Sequence, residues 1–430
     1  MQTIKYPDKK DWGEILKRPS IDSSSLEETV KSILDDVKAN GDEAVRKFTL
    51  QFDKADISEL RVGDAEIGEA ERSLRTELKQ AILGAKNNIE KFHAAQLKDI
   101  EFVEIMPGVQ CWRRPVPIEK VGLYIPGGSA PLFSTILMLA IPARLAGCKE
   151  IVLCSPPNTQ GQLNPAILFT AGISGVTKIF RVGGVQAVGA MSYGTASIPK
   201  VYKIFGPGNQ YVTCAKQLVQ KQGVAIDLPA GPSEVAVYGD ETANPSFVAA
   251  DLLSQAEHGI DSQVLLITDH SLLIDAVIKE IDNQIVELPR KNIAIKALEN
   301  SKCVLVKNKI EAIDLLNEYA PEHLILSCAD ADDLAQKITN AGSVFLGHYS
   351  PESAGDYASG TNHTLPTNGY AKSYSGVSAD SFVKKITFQK LSEEGLKNIA
   401  RTVELMAEAE GLMAHARAVK IRRQNLENRS

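Results

Sequence analysis

Imidazole side chains are scarce in this sequence, which has seven histidines among 430 residues. The segment Gln255-Ala256-Glu257-His258 ends a predicted helix, and its i, i+3 spacing puts Gln255 and His258 on one helix face. Two side chains placed in this way can hold a divalent cation through a carboxamide oxygen and an imidazole nitrogen. A histidine at the C-terminal end of a helix also interacts favourably with the helix dipole, so capping is the alternative interpretation.

Asp356 and His415 are two further candidates for a metal site. Asp356 lies in the glycine-bearing stretch SAGDYASG (353–360), where a buried carboxylate would need a partner. A metal ion would be one such partner, and a helix cap or turn is the alternative. His415 lies in the apolar segment GLMAH (411–415), where a packed core histidine is the alternative.

Glu322 and His323 follow Pro321 at a predicted helix-to-strand turn. Adjacent residues can point into one cleft where the backbone is irregular, and an acid beside an imidazole is a candidate general-base pair near neutral pH. The alternative is a surface turn with two polar side chains.

Three glycine-rich turns follow predicted strands: Gly183-Gly184 with Gly189, Gly206-Pro207-Gly208-Asn209, and Ala230-Gly231-Pro232-Ser233. Such turns let backbone N–H groups and a helix N-terminus approach an anion or a cofactor closely. None of them is a GxGxxG followed by an acidic residue about 20 positions later. Each turn is therefore a weak dinucleotide signal by itself, and a simple tight turn is the alternative.

The elements around these turns predict an α/β fold. Short apolar runs such as EIVLCS (150–155), KIFGPG (203–208), QVLLIT (263–268) and HLILS (323–327) alternate with helical stretches, which is typical of parallel sheets covered on both faces. We therefore predict two doubly wound, Rossmann-like sheet lobes, flanked by a helical amino-terminal arm and a carboxyl-terminal tail.

We predict the following boundaries for these parts. The arm covers residues 1–20, the first lobe 21–123 plus 238–376, the second, NAD-binding lobe 124–237, and the helical tail 377–430. Residues 24–98 read as mostly amphipathic helix, and few strand signals follow residue 377. The charged tail has limited apolar surface to bury by itself, which favours packing against a second subunit.

Composition excludes several classes of protein. The chain has 47 basic and 53 acidic residues, a net charge of -6, which argues against nucleic-acid binding. Six scattered cysteines without a CxxC argue against a disulfide framework or a cysteine zinc site and favour a reduced, cytoplasmic protein. The first residues contain no secretory h-region. The uncharged stretch 121–143 is interrupted by prolines and glycines, so a buried turn and core helix are favoured over a membrane span.

Several segments together resemble one enzyme family, that of the histidinol dehydrogenases. They occur in the order VGLYIPGG (121–128), RVGGVQAVGAMSYGT (181–195), KIFGPGNQYVT (203–213), IDLPAGPSEV (226–235), ADLLSQAEHG (250–259), YAPEHLIL (319–326), SAGDYASGTNHTLPT (353–367) and AEAEGLMAHARAV (407–419). The resemblance is strong over about 110–270 and 315–380 and in the tail. It implies an NAD-linked oxidation of L-histidinol to L-histidine through the aldehyde, the last step of histidine biosynthesis.

The resemblance also implies a site, residue by residue. One zinc ion per subunit would be held by the residues that match the family's ligands: Gln255, His258, Asp356 and His415. The substrate would contact these four together with Ser233, His323 and Glu410. NAD would contact Tyr124, Gln186 and Asn209.

The mixed nitrogen and oxygen ligand set suits zinc and leaves positions open for substrate. The resemblance assigns the proton transfers to Glu322 and His323, with His323 as the base in hydride transfer and Glu322 activating water as the expected division. It further implies a homodimer in which the tail, with Glu410 and His415, completes the partner's site.

Two other functions are compatible with the same residues. A metal-dependent hydrolase could use this ligand set and a nearby glutamate to activate water. A small-molecule or nucleotide-binding module could use the metal only as a structural element.

Overall fold

The computed structural model describes residues 1–19, 24–97, 99–127, 131–229 and 231–428. The chain forms two compact units. The first comprises Met1–Gln96 and Ile118–Phe382, and the second comprises Leu97–Pro117 and Val383–Ser430.

The strands of the first unit form two parallel sheets. They are β1 (Gln2–Lys5), β4 (Lys120–Tyr124), β5 (Glu150–Ser155), β6 (Lys178–Arg181), β7 (Lys203–Phe205), β8 (Ala225–Ile226), β9 (Glu234–Gly239), β10 (Gln263–Thr268), β11 (Lys302–Leu305), β12 (His323–Ser327) and β13 (Ser343–Leu346). One sheet has the order β1-β11-β10-β9-β12-β13, and the other has the order β6-β5-β4-β7-β8.

The helices of the first unit cover these sheets. They are α1 (Trp12–Ile15), α2 (Ser24–Asn40), α3 (Asp42–Asp53), α4 (Asp64–Ser73), α5 (Thr76–Ala94), α6 (Phe133–Ala146), α7 (Pro165–Ser174), α8 (Gly184–Tyr193), α9 (Gln210–Gln220), α10 (Pro245–Ala256), α11 (Ser271–Ile285), α12 (Lys291–Glu299), α13 (Lys309–Tyr319), α14 (Ala331–Ala335) and α15 (Glu352–Tyr357).

The six-stranded sheet has a hydrophobic core on each face, because the side chains along each strand point alternately to one face and the other. Val235 and Val237 of β9 pack with α10, α11 and α12, whereas Ala236 and Tyr238 pack with α1 and α13 on the other face. Because successive strand residues point to opposite faces, a strand covered by helices on both sides must be apolar over most of its length. This requirement explains why β9, β10 and β12 are buried over their full length.

The five-stranded sheet is covered in the same way. Val121 and Leu123 of β4 face α6 and α7, and Tyr124 faces the opposite core formed with α2, α3, α8 and α9. Helix α6 is buried over most of its length, so the core helix predicted within the uncharged stretch 121–143 is confirmed. The stretch also contains the buried strand β4, and residues 128–130 of the predicted turn lie outside the described part of the chain. No helix in the described part of the chain is long and apolar enough to cross a membrane.

The second unit is an antiparallel sheet followed by two helices. Its strands are β2 (Phe102–Met106), β3 (Val109–Pro117) and β14 (Val383–Leu391), in the order β14-β3-β2, and its helices are α16 (Glu393–Ala409) and α17 (Met413–Glu427). The prediction of a helical tail from residue 377 was wrong for β14, whose sequence VKKITFQKL is largely exposed and lysine-rich. An exposed strand needs no run of apolar residues, so its sequence carries little signal.

The doubly wound α/β class is confirmed, and the predicted lobe boundaries stay a prediction. The predicted first lobe combined residues 21–123 with residues 238–376, which supply most strands of the six-stranded sheet. Buried residues of α2 and α3 pack instead in the core of the five-stranded sheet. The amino-terminal arm also contributes a strand, because β1 pairs in parallel with β11. All six cysteines lie among the described residues, and each is free.

Candidate active site between the two sheets

A cleft of about 1230 Å³ lies where loops of the two sheets of the first unit meet. The five-stranded sheet contributes the carboxyl end of β7, through the turn 206–209. The six-stranded sheet contributes the amino ends of β9 and β12, through Ser233 and Glu322, and the end of α10 contributes His258. The turn 230–233 therefore follows β8 and also precedes β9. Of its residues, Ala230 lies outside the described part of the chain.

Glu322 and His323 are held at the start of β12 by the backbone of Glu234, the first residue of the neighbouring strand β9. Glu322 Oε2 accepts a hydrogen bond from the Glu234 N–H at 2.8 Å, and His323 Nδ1 lies 3.2 Å from the Glu234 carbonyl oxygen. Glu322 and His323 are 7% and 3% exposed. With Nδ1–H donated to the carbonyl, Nε2 is the nitrogen of His323 that remains for chemistry.

His323 Nε2 faces the carboxylate of Asp356 at 3.4 Å. Neither this nitrogen nor Asp356 Oδ1 has a hydrogen-bond partner, although both atoms are buried. Burial lowers the pKa of His323, but the neighbouring carboxylates of Glu322 and Asp356 outweigh burial and hold this pKa well above its ordinary value. Burial raises the pKa of Asp356, but the neighbouring His323 outweighs burial, so the pKa of Asp356 is lowered overall.

Gln255 lies in the last turn of α10, and His258 follows the helix end, where its N–H donates to the Gln255 carbonyl at 3.2 Å. Gln255 is buried and His258 is exposed on the wall of the cleft. Asp356 lies close enough to His258 for the charge of the histidine to lower the aspartate pKa. Within the first unit, Asp356 thus faces His323, while His258 lies near Asp356 and Gln255 lies beside Glu234, whose backbone holds His323.

Glu352 was missed by the sequence analysis. It is buried, accepts a hydrogen bond from Ser254 Oγ at 2.9 Å, and lies beside Gln255. In the orientation that satisfies its amide, Gln255 donates Nε2 to the two Glu352 oxygens at 2.8 and 3.1 Å and accepts from the Glu234 N–H at 3.2 Å. Burial raises the pKa of Glu352 to about 8. Its i, i+4 spacing from Asp356 on α15 is the signal that could have identified it.

His363 is a second residue that the sequence analysis missed. Its Nδ1 lies 2.9 Å from the Asp356 carbonyl oxygen, and its Nε2 lies 3.1 Å from Thr135 Oγ1. Such contacts fix the backbone that presents a candidate metal ligand. Burial lowers the pKa of His363, which favours the neutral imidazole.

The predicted NAD contacts lie at or beyond the carboxyl ends of β4, β6 and β7 in the five-stranded sheet. Tyr124 ends β4, and its hydroxyl accepts a hydrogen bond from the Gly184 N–H at 3.2 Å. Gln186, in the first turn of α8, is fully buried, and neither amide atom has a partner. Asn209 caps α9, accepting from the N–H groups of Tyr211 and Val212, and lies on the wall of the cleft.

The turn before Asn209 is held rigidly. Gly206 has a φ of +123°, a backbone conformation that favours glycine, and a Cβ there would overlap the Tyr124 carbonyl oxygen. Its N–H donates to Asp227 at 2.8 Å, and its carbonyl accepts from the buried Lys216 at 2.9 Å. Because Lys216 also pairs with Asp227, one buried ion pair fixes both polar groups of Gly206.

Glu410 and His415 belong to the second unit. Glu410 follows α16, His415 lies in the first turn of α17, and both are exposed. The structure therefore brings together the first-unit residues of the predicted site, whereas the two tail residues lie on the other unit.

A different group of potential metal ligands lies at the carboxyl ends of the strands of the six-stranded sheet, which we call its carboxyl edge. Glu322 and His323 lie at the amino ends of the strands, which we call its amino edge. Asp240 and Cys328 directly follow β9 and β12, and their ligand atoms lie within 4.8 Å of each other and of Asp330. Lys309 Nζ, however, lies 2.8 Å from Asp330 and 3.7 Å from Asp240. An ammonium group therefore already faces both carboxylates of this cluster, and we interpret the cluster as structural.

Comparisons with known proteins give the family. The histidinol dehydrogenase family model matches residues 16–423. The chain belongs to the histidinol dehydrogenase family. It is 61% identical to a histidinol dehydrogenase of Bacteroides fragilis over 98% of this chain and 99% of the relative. It is 51% identical to that of Escherichia coli K12, over 95% and 94% of the two chains.

A solved structure has the same fold. The crystal structure of histidinol dehydrogenase from Elizabethkingia anophelis is 54% identical to this chain, covers 99% of both chains and has a TM-score of 0.98. The predicted family, fold class and enzyme class, a dehydrogenase, are confirmed. A hydrolase and a non-catalytic binding module do not agree with membership of a dehydrogenase family.

Proposed function

We propose that the protein oxidises L-histidinol to L-histidine through the aldehyde in two NAD-linked steps, with one zinc ion per subunit. The observation that carries this proposal is the buried pair of His323 Nε2 and Asp356 Oδ1, which face each other without hydrogen-bond partners. Buried polar atoms are normally satisfied, so unsatisfied ones next to residues that line the cleft, here Glu322 and His258, indicate a missing ligand.

The residues fit a zinc site. Asp356 offers an unpartnered oxygen and Gln255 a carboxamide oxygen whose amide nitrogen can be held by Glu352, while His258 offers an imidazole. His415 would be the fourth ligand. When bound, zinc would act as a Lewis acid that binds and orients the imidazole and amino nitrogens of histidinol.

His323 would take the hydroxyl proton in each oxidation while the hydride leaves for NAD. The hydrogen bond of Nδ1 to the Glu234 carbonyl presents Nε2 as the basic nitrogen. A base must be neutral, and pairing of Asp356 with a cation would remove a carboxylate that raises the His323 pKa. The buried position excludes bulk water, which would compete for the proton.

Glu322 would activate the water that converts the aldehyde into its gem-diol. Its Oε2 is bound by the Glu234 N–H, and it lies 3.6 Å from His323 Nδ1. The second oxidation removes a hydride from this gem-diol and gives the carboxylate of histidine. The substrate would be bound by Ser233 and Glu410 in addition to the zinc ligands and His323.

NAD would lie along the carboxyl ends of β4 and β7, with Tyr124, Gln186 and Asn209 as its contacts. The N-termini of α8 and α9, which are the positive ends of their helix dipoles, follow β6 and β7 on this side of the sheet, which suits a pyrophosphate. The fully buried, unpartnered amide of Gln186 is the observation that supports a bound group there.

A homodimer with shared sites would bring Glu410 and His415 to the partner's cleft. Support comes from the second unit, where Met406, Leu412 and Met413 are 45% to 61% exposed near these two residues. The test mixes His258→Ala and His415→Ala chains. A shared site predicts that heterodimers regain activity, and heterodimers without activity would contradict it. We keep the cytoplasm as the proposed compartment.

The direct test of the function is the yield of NADH. Two equivalents of NADH per L-histidinol, abolished by a chelator and restored by zinc, are expected. One equivalent with aldehyde release would contradict the four-electron reaction, and turnover that survives complete zinc removal would contradict the metal's role.

A further inference from the structure

Arg18, in the amino-terminal arm, forms a buried ion pair with Glu234. Arg18 Nε lies 2.5 Å from Glu234 Oε1, and Nη2 lies 2.9 Å from Oε2, so the contact is bidentate. The side chains are 16% and 2% exposed. Removing two charges from water costs more than their attraction commonly returns, so a buried pair by itself is weak grounds for a role in stability.

The backbone of Glu234 is the element that holds both proposed proton-transfer residues. Its N–H donates to Glu322 at 2.8 Å, and its carbonyl lies 3.2 Å from His323 Nδ1. Any displacement of this one residue would therefore move the carboxylate and the imidazole together. The Glu234 carboxylate also accepts the Asn368 N–H at 2.8 Å, which anchors the segment that follows the Asp356 helix.

The same guanidinium contacts the turn that carries the pair. Arg18 Nη2 donates to the Tyr319 carbonyl at 2.7 Å, and the guanidinium lies 4.0 Å from the centre of the Tyr319 ring. Tyr319 ends α13, and the next residue, Ala320, has a φ of +52°. A non-glycine residue in this region is strained, so the turn needs an external contact that holds it. Arg18 thus fixes the starts of β9 and β12 relative to each other.

We propose that Arg18 is a positioning residue that sets the geometry of Glu322 and His323 through the buried carboxylate and backbone of Glu234. The inference rests on the proposed roles of Glu322 and His323. It assigns the amino-terminal arm, which is 216 residues from Glu234 in sequence, a function in catalysis. Because proton transfer requires near-ideal geometry, loss of this contact should affect turnover more than binding.

Zinc-loaded Arg18→Ala, Arg18→Lys and Arg18→Met proteins test the proposal with L-histidinol and NAD. We expect kcat of Arg18→Met to fall about 10²-fold, the effect of a misplacement near 1 Å. We expect KM for both substrates to change less than about threefold, since ground-state binding is retained. Arg18→Lys should be intermediate, because an ammonium cannot make the bidentate contact.

Chemical rescue separates positioning from folding. Arg18 lies on the cleft wall, so millimolar guanidinium can reach the space left in Arg18→Ala and should raise its kcat. The matched control is Lys9→Ala in the same arm, an exposed partner of Asp314 at 3.4 Å, which should show wild-type kcat and no response to guanidinium. The double variant Arg18→Met, Glu234→Met removes both charges and should melt near the wild-type temperature, yet keep the low kcat.

Three results would overturn the proposal. They are wild-type kcat in Arg18→Met, a rise in KM for histidinol at unchanged kcat, and recovery of full kcat in the double variant. The first would show that Arg18 has no role in turnover, the second that it is a substrate contact, and the third that only the unpaired charge was harmful. Wild-type and His323→Asn proteins in the same assay separate these results from failure of the proposed function, which would appear as absence of NADH in the wild type.

Discussion

The amino and carboxyl edges of the six-stranded sheet carry similar side chains in different hydrogen-bonding states. At the amino edge, His323 Nε2 and Asp356 Oδ1 are buried and face each other at 3.4 Å, and neither atom has a hydrogen-bond partner. At the carboxyl edge, Asp240 accepts from the Thr242 N–H at 2.9 Å, from the Ala329 N–H at 3.3 Å and lies near Lys309. A satisfied carboxylate stabilises the fold, whereas an unsatisfied one indicates a ligand.

The comparison shows why the chemistry of residue types is insufficient to locate a site. Both edges offer carboxylates together with a histidine or a cysteine, and the carboxyl edge is the more compact cluster. What distinguishes them is the hydrogen-bonding state of the buried atoms, which depends on neighbours distant in sequence.

The largest difference should appear in turnover. His323→Asn should lower kcat for histidinol about 10²- to 10⁴-fold, the usual loss on removal of a general base. Asp330→Asn, at the opposite edge, is the control and should leave kcat unchanged. Steady-state NADH formation measures both. Equal losses of kcat in the two variants would contradict the proposal that only the amino edge takes part in turnover.

The second prediction concerns the division between Glu322 and His323. Glu322→Gln should impair oxidation of the aldehyde more than that of the alcohol, because only the aldehyde must be hydrated. His323→Asn should impair both oxidations, since each transfers a hydroxyl proton. Assays that start from histidinol and from the aldehyde measure the two effects, and identical profiles for the two variants would contradict the division.

The third prediction concerns the stability of the carboxyl edge. Asp240→Ala leaves the N–H groups of Thr242 and Ala329 without their acceptor, which should cost about 1 to 3 kcal/mol of unfolding free energy. The kcat of the folded fraction should stay at the wild-type value. Urea denaturation followed by an assay at low temperature measures both quantities. A variant with wild-type stability and a low kcat would show that Asp240 has a role in catalysis.

The smallest effect should be on the pH dependence of stability in the zinc-free protein. Burial raises the pKa of Glu352 to about 8, above its unfolded value, so the folded state retains a proton that the unfolded state loses. Its contribution therefore falls as pH rises from about 5 to about 8. The pKa of Asp240 is lowered, because its hydrogen bonds outweigh burial, so its contribution is lost only in acid.

Melting temperatures of zinc-free wild type, Glu352→Gln and Asp240→Asn across this pH range measure the difference. The decline toward pH 8 should be smaller in Glu352→Gln and unchanged in Asp240→Asn. The same slope in wild type and Glu352→Gln would contradict the raised pKa.

Much of the first unit could be predicted from the sequence, because burial on both faces forces apolar runs such as β10 and β12. The strands β1 and β14 escaped prediction because their residues are largely exposed, so no apolar run marks them. Their pairing is set by distant partners, β11 and β3.

The candidate site likewise contains residues that could be predicted from the sequence and residues that could not. Glu322, His323, Gln255 and Asp356 lie in motifs that resemble a known family, so their types and spacing were informative. Glu352 directly precedes the motif that contains Asp356 but is not part of it, and Arg18 lies in a segment without such a motif. Their importance comes from burial and from contacts with Gln255 and Glu234 that only the folded chain shows.

The zinc content of two matched variants tests the central claim most directly. Asp356→Asn and Asp330→Asn each replace one carboxylate, at the amino and the carboxyl edge respectively. After metal loading and desalting, wild type and Asp330→Asn should retain one zinc ion per chain by elemental analysis, and Asp356→Asn should retain little. Full zinc content in Asp356→Asn, or its loss in Asp330→Asn, would contradict the assignment of the metal site to the amino edge.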